Sequence, residues 1–308
     1  MFYNLNNEKQ ILKIQNQHVS IDSPSRIQSY IQLIKFRLSA LVVFSAAIGY
    51  LMAANGLVEY PKMIILIIGG FLITGAANGF NQVIEKDLDK LMDRTKNRPL
   101  PSGHINYVEA ILLCFVMAVS GIFLLGYFMN WQTALLGGLA VMSYAFVYTP
   151  MKQISSFAVH IGALPGALPT LIGWVAYDGT FGSEALILFL IQFMWQFPHF
   201  WAIAWVLDDD YKKAGFRLLP SEGGRNKNSA TQTLVSTLLL VAISFIPLIF
   251  DWAGIGYAVI CGIAGSIFIY QSVKLYLTCQ VKEASRLMFG SFLYLPIIQI
   301  SLLVQKLM

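Results

Sequence analysis

Asn81, Glu85, Asp89 and Asp93 recur every four residues along one stretch of this 308-residue chain. On a helix that spacing stacks side chains along one slowly drifting face. An amide oxygen followed by carboxylates is a row of hard oxygen ligands, the kind Mg²⁺ takes when it binds together with substrate phosphates. Arg94, Lys96 and Arg98 follow directly, and Pro99 ends the helix. Acids beside bases at a helix end are suited to hold a divalent metal and a diphosphate together. The same residues also fit a solvated juxtamembrane helix laced with ion pairs, and spacing alone leaves both readings open. Asp87 falls on the opposite face and reads as solvated.

Further along, Gln192, Gln196 and His199 share one helix face inside an apolar run, and Asp208, Asp209 and Asp210 follow it. Polar groups at membrane depth face a bundle interior or a cavity; the alternative is hydrogen bonding between helices. Two acidic clusters at one end of a membrane-embedded cavity would make a Mg–diphosphate site with a lipid tail running into the bilayer. A third feature is Tyr148-Thr149-Pro150-Met151-Lys152. Lys152 is placed to neutralise a diphosphate oxygen and Tyr148 to face an allylic cation. A snorkelling lysine is the plainer reading.

The elements that must position these groups are legible from composition. The chain is 56% hydrophobic and only 12% charged, against roughly 25% charged in a soluble protein. Spanning helices need about 20 mostly apolar residues, and nine candidates lie near 38–54, 62–83, 109–128, 131–149, 156–177, 184–207, 231–250, 254–276 and 287–308. An all-α, polytopic membrane bundle follows. All of the 21 Lys and Arg except Lys62 and Lys306 fall on the side of the N-terminus, with the loops 84–108, 150–155, 208–230 and 277–286. That asymmetry makes this side the cytoplasm, and it accounts for the net charge of +5 without a nucleic-acid partner. Cys114, Cys261 and Cys279 are far apart in sequence and suggest neither a disulfide framework nor a zinc site. Residues 1–30 read as a polar cytoplasmic tail without the apolar core of a signal peptide, and 31–308 as one membrane-embedded domain.

Taken together, the motifs resemble a known family. Asn81-x3-Glu85-x3-Asp89 with Arg94-Thr95 and Arg98-Pro99-Leu100 is similar to the first acidic motif of the UbiA-type membrane prenyltransferases. Trp195-Gln196-Phe197-Pro198-His199-Phe200-Trp201-Ala202, Asp209-Asp210-Tyr211-x2-Ala214-Gly215 and Tyr148-Thr149-Pro150-x-Lys152 resemble the branch that farnesylates protoheme IX. The likeness runs from Ile31 to Met308. It departs from the family at Glu85, where most relatives carry Asp, and at Phe36, where a proline is usual between basic residues. A third departure is the His199-Phe200 region, which in quinone-type relatives holds the first acid of the second motif.

The resemblance implies farnesyl transfer from farnesyl diphosphate to a vinyl group of heme b, with water addition giving heme O. Mg²⁺ is implied at Asn81, Glu85, Asp89, Asp209 and Asp210, and diphosphate contacts at Arg94, Arg98 and Lys152. Tyr148, Gln196 and His199 are implied to face substrate. A bacterial inner membrane, and hand-over to a heme A synthase or to oxidase assembly proteins, complete the picture. The rival readings are a prenyltransferase for an aromatic acid or quinone precursor, a solute transporter and a non-catalytic oxidase assembly factor. A transporter needs polar residues through both leaflets, and the far halves of these helices carry almost no charge.

Overall fold

The computed structural model describes residues 24–307. The tail expected over residues 1–30 lies mostly outside the described residues. Its expected boundary falls inside α1 (Arg26–Leu33), which Ser25 opens with a capping box: Ser25 Oγ accepts the Gln28 N–H, and the Gln28 side chain accepts the Ser25 N–H. α1 buries Leu33 against Val83, Leu100, Ile105, Ala110 and Cys114. Lys35 then turns the chain through a left-handed conformation (φ 48°), which costs on the order of 1 kcal/mol for a residue with a Cβ.

Among the described residues, nine helices are long and apolar enough to cross a membrane: α2 (Phe36–Ala54), α3 (Tyr60–Ile84), α4 (Tyr107–Phe128), α5 (Trp131–Ile154), α6 (Ala158–Asp178), α7 (Ser183–Lys213), α8 (Lys227–Ile249), α9 (Ile255–Thr278) and α10 (Val281–Leu307). All nine sequence candidates are present. Outward faces stay apolar, as on α4, where Leu112, Phe115, Val119 and Phe123 are all exposed. In water this would be a large sticky patch; in lipid it is the ordinary solvent face, so the chain is a multi-pass membrane protein.

α6 is the hub, with 78% of its apolar stretch buried against 28–50% for the other spans. Small residues make this possible. A Cβ on Gly173 would lie 1.8 Å from the Ala46 carbonyl oxygen of α2, and one on Gly49 would lie 2.2 Å from the Thr170 carbonyl oxygen. The two backbones therefore touch, the close approach that small residues permit between membrane helices.

Two helices differ from expectation in ways that matter for chemistry. α7 runs six residues beyond the predicted span and includes Asp208, Asp209 and Asp210. α5 is α-helical over Trp131–Val141, π-helical over Met142–Tyr148 and α-helical again over Thr149–Ile154. In a straight α-helix the Pro150 ring would clash with the Phe146 carbonyl. The wider turn relieves that clash at the cost of one extra residue.

Candidate active site

α3 stops at Ile84, yet its hydrogen-bond ladder continues: the Glu85 N–H donates to the Asn81 carbonyl (3.0 Å) and the Asp89 N–H to the Glu85 carbonyl (2.7 Å). Asn81, Glu85 and Asp89 therefore stack on one face, as their spacing predicts. After Lys90 the chain leaves the helix. Asp93 departs from the row, stands exposed, and pairs with Lys96 at 2.8 Å and with Lys213 at 2.5 Å.

Each stacked oxygen donor has its own cation. Lys35 Nζ donates to Asn81 Oδ1 (3.1 Å), Lys152 Nζ to Glu85 Oε1 (2.8 Å), and Arg98 Nη1 to both Asp89 oxygens (2.9 and 2.7 Å). The Asn81 amide is oriented by donating to Thr149 Oγ1 at 3.1 Å, and Thr149 in turn donates to the Tyr144 carbonyl. Glu85 and Asp89 are buried. Burial raises the Asp89 carboxyl above the usual range against the opposing pull of Arg98. Burial, with Arg98 and Lys152 adding like charge, pushes the Lys35 ammonium down to about 7. Three cations gathered over two carboxylates and an amide make a locus short of negative charge, which suits a polyanion carrying its own metal.

The second acidic cluster is arranged otherwise. Consecutive helical residues point about 100° apart, so the three aspartates face three directions. Asp208 is buried beside Lys212 (2.6 Å). Asp209 is exposed and held by Arg225 (2.8 Å). Asp210 accepts the backbone N–H groups of Asp93 (2.8 Å) and Arg94 (3.2 Å), clamping α7 to the loop after the first motif. Among the described residues no three acids, histidines or cysteines gather closely enough to hold a metal. The expected five-residue metal set is thus split. Arg94 is exposed, with its guanidinium 5.9 Å from the Tyr211 ring, rather than aimed at Asp89 as Arg98 is.

Beneath this charged end lies a cavity of about 420 Å³. Tyr144, Tyr148, Lys152 and Tyr211 line it, as do Gln192, Trp195, Gln196, His199 and Phe200 from α7. Lys152 Nζ sits 4.8 Å from the Tyr148 ring centroid, so this lysine joins the ion-pair row to the apolar chamber. Gln192 and Gln196 both donate to the Gly166 carbonyl (2.8 and 2.9 Å). Leu38, Leu41, Phe44 and Phe292 belong to the lining and are also exposed at the lipid surface, so the chamber opens sideways into the bilayer between α2 and α10.

The UbiA prenyltransferase family matches residues 42–295 of this chain. The chain belongs to that family. A protoheme IX farnesyltransferase of Cytophaga hutchinsonii is 47% identical over 92% of this chain and 99% of its own length. One of Solibacter usitatus is 34% identical over 88% and 96%. Among solved structures, the chain of a study of digeranylgeranylglyceryl phosphate synthase superposes with a TM-score of 0.77 at 21% identity, covering 92% of this chain and 99% of that one. A UbiA homolog from Archaeoglobus fulgidus bound to GPP and Mg²⁺ superposes with a TM-score of 0.59 at 13% identity, over 90% and 99%. These likenesses establish the fold. Within the UbiA frame the donors that fit Mg²⁺ are Asn81, Glu85 and Asp89, all hard oxygens on one face, with substrate phosphates completing the shell. Sequence reasoning missed Lys35 as a site residue, although it stands in the basic run before the first span, and it missed Asp208 as the inward acid of its triplet.

Proposed function

We propose that this chain transfers a farnesyl group from farnesyl diphosphate to a vinyl group of protoheme IX. The observation that carries the reading is one lysine, Lys152, bonded to buried Glu85 and at the same time lining an apolar chamber with Tyr148. A molecule with a diphosphate head and an isoprenoid tail fits that junction. The acceptor is read from relatives named protoheme IX farnesyltransferase at 34–47% identity over most of the chain.

The diphosphate enters among Lys35, Lys152 and Arg98, which turn from their present partners toward its oxygens as charge-assisted donors. Asn81, Glu85 and Asp89, relieved of those cations, would be the residues that hold Mg²⁺. When bound, the metal supplies Lewis-acid charge to the leaving diphosphate. As the bond between farnesyl C1 and oxygen breaks, Tyr148, Tyr144 and Phe200 present ring faces to the allylic cation. The apolar lining keeps water from it. The heme vinyl group gives its electron pair to C1, and water adds to the resulting cation beside the pyrrole and loses a proton. Heme O and free diphosphate result. Asp210 serves by clamping the loop at Asp93 and Arg94 rather than by binding metal.

We place the charged end on the cytoplasmic side of a bacterial inner membrane, with the product passing to a heme A synthase or an oxidase assembly protein. The test is purified protein in nanodiscs with farnesyl diphosphate, Mg²⁺ and a panel of heme b, 4-hydroxybenzoate and a naphthoate, read by mass spectrometry. Farnesylated, hydrated heme is the expected product. Prenylated aromatic acid with unmodified heme would replace the heme reading with the quinone-precursor one.

A further inference from the structure

We infer that Ser291 is a positioning residue that fixes the tautomer of His199 and presents its Nε2 lone pair to the chamber as an axial ligand for heme iron. This rests on the reading that the acceptor is a heme. Ser291 lies on α10, fully buried. Its hydroxyl carries a single proton, which it donates to the Met288 carbonyl at 2.6 Å. The contact between His199 Nδ1 and Ser291 Oγ, at 2.7 Å, must then use the imidazole proton. In the neutral ring Nδ1 is then the protonated nitrogen, and Nε2 keeps its lone pair.

The ring is also fixed in angle. Trp195 stacks on it with centroids 4.2 Å apart and planes 16° apart, and Phe292 meets it edge-on at 4.9 Å. Trp195 is itself tied to the same serine, its indole N–H donating to the Ser291 carbonyl at 2.8 Å. One residue on α10 therefore anchors both members of the stacked pair on α7. His199, Trp195 and Phe292 all line the chamber. Of the two His199 ring nitrogens, only Nδ1 has a hydrogen-bond partner among the described residues. A neutral imidazole with one nitrogen bonded and the other bare is how proteins prepare histidine for a metal, the bonded nitrogen orienting the ligand. Mg²⁺ prefers oxygen, whereas the iron of a porphyrin takes imidazole. Ligation there would fix the macrocycle, and so its vinyl edge, relative to the farnesyl site.

The test compares wild type, Ser291→Ala, Ser291→Thr and His199→Ala in nanodiscs by titration with ferric heme b and with metal-free protoporphyrin IX. Farnesyl diphosphate KM and heme O formation are measured on the same samples. Ser291→Ala removes the hydroxyl but leaves the backbone carbonyl that holds Trp195. It is expected to weaken heme binding about three- to tenfold, the loss of one net hydrogen bond, and to shift the Soret band toward that of His199→Ala. Protoporphyrin affinity and farnesyl diphosphate KM should stay at wild-type values, and Ser291→Thr should restore the spectrum. A Ser291→Ala protein with wild-type heme affinity and Soret band, in an enzyme that still makes heme O, would overturn the inference alone. Equal losses for heme and iron-free porphyrin would overturn it too, showing packing in place of ligation. Absence of any heme binding by wild type would overturn the heme reading and this inference together.

Discussion

Removing Lys152 separates two roles that one ion pair performs. Glu85 is 3% exposed, and its side chain's one hydrogen-bond donor among the described residues is Lys152 Nζ at 2.8 Å. Lys152→Met deletes that donor while keeping most of the side-chain volume, and leaves a buried carboxylate without a counter-charge. Breaking a buried pair from one side costs about 3–5 kcal/mol. The double variant Glu85→Gln/Lys152→Met removes both charges, and apolar or neutral replacement of a whole buried pair is often close to neutral. The double variant should therefore recover most of the lost stability, about 2–4 kcal/mol, although it carries one more substitution. Turnover should behave differently. Both variants lack a donor to the diphosphate and should lose at least about a hundredfold, which corresponds to about 2.7 kcal/mol of transition-state stabilisation. The assay is denaturant unfolding in mixed micelles for stability, with heme O formation in nanodiscs for turnover. A Lys152→Met protein as stable as wild type would refute the energetic reading of the pair. Near-wild-type turnover by the double variant would refute its part in chemistry.

Chelating divalent metal should abolish turnover, and added Mg²⁺ should restore it; activity that survives chelation would remove Asn81, Glu85 and Asp89 from metal binding. Gly173→Ala places a methyl 1.8 Å from the Ala46 carbonyl oxygen, so α2 and α6 must separate, at a cost of about 1–3 kcal/mol or more; unchanged unfolding in micelles would contradict the crossing. Asp210→Ala deletes acceptors for two backbone N–H groups and should cost about 1–3 kcal/mol with a measurable drop in turnover, whereas exposed Asp209→Ala should change stability by less than about 1 kcal/mol. The reverse ranking would place the second motif's chemistry on Asp209. Reporter fusions at Asn130 and Asp178 should register the exterior and those at Lys96 and Gly223 the cytoplasm, and inversion at either pair would overturn the orientation.

The spans were legible because an apolar run long enough to cross lipid has few other uses. The stacking of Asn81, Glu85 and Asp89 was legible because the ladder holds through Asp89. Asp93 shares the same interval in the chain but left the row, since periodicity does not announce where a helix ends. The triplet Asp208-Asp209-Asp210 read as one cluster because adjacency in sequence looks like adjacency in space. Once α7 extends through it, the helix turns the three carboxylates to three environments. The partners Lys35–Asn81 and Lys152–Glu85 come from separate segments, and no local pattern encodes such pairings, whereas Arg98 and Asp89 lie nine residues apart within the one motif. Ser291 carries no signal at all: a single serine in an apolar helix becomes meaningful only beside His199.

The π-helical stretch Met142–Tyr148 makes one part of this span tolerant of residue count and leaves the part after it sensitive. Its wide turn lodges one residue that an α-helix would have no room for. Deleting one residue there would let the span close to regular α-helix with Thr149 and Lys152 still in phase. It would also return the Pro150 ring to the carbonyl four residues before it. A residue lost after the wide turn, between Thr149 and Lys152, finds no such slack. Lys152 would then rotate by about 100° and slide by about 1.5 Å, away from Glu85. Apolar exchanges at outward positions such as Phe146 and Val147, by contrast, would leave it in place. Drift between Thr149 and Lys152 should therefore proceed by substitution at constant length. A descendant that lost one residue there would keep its spans, its hydropathy and its acidic motif, and would lose the cation that joins them.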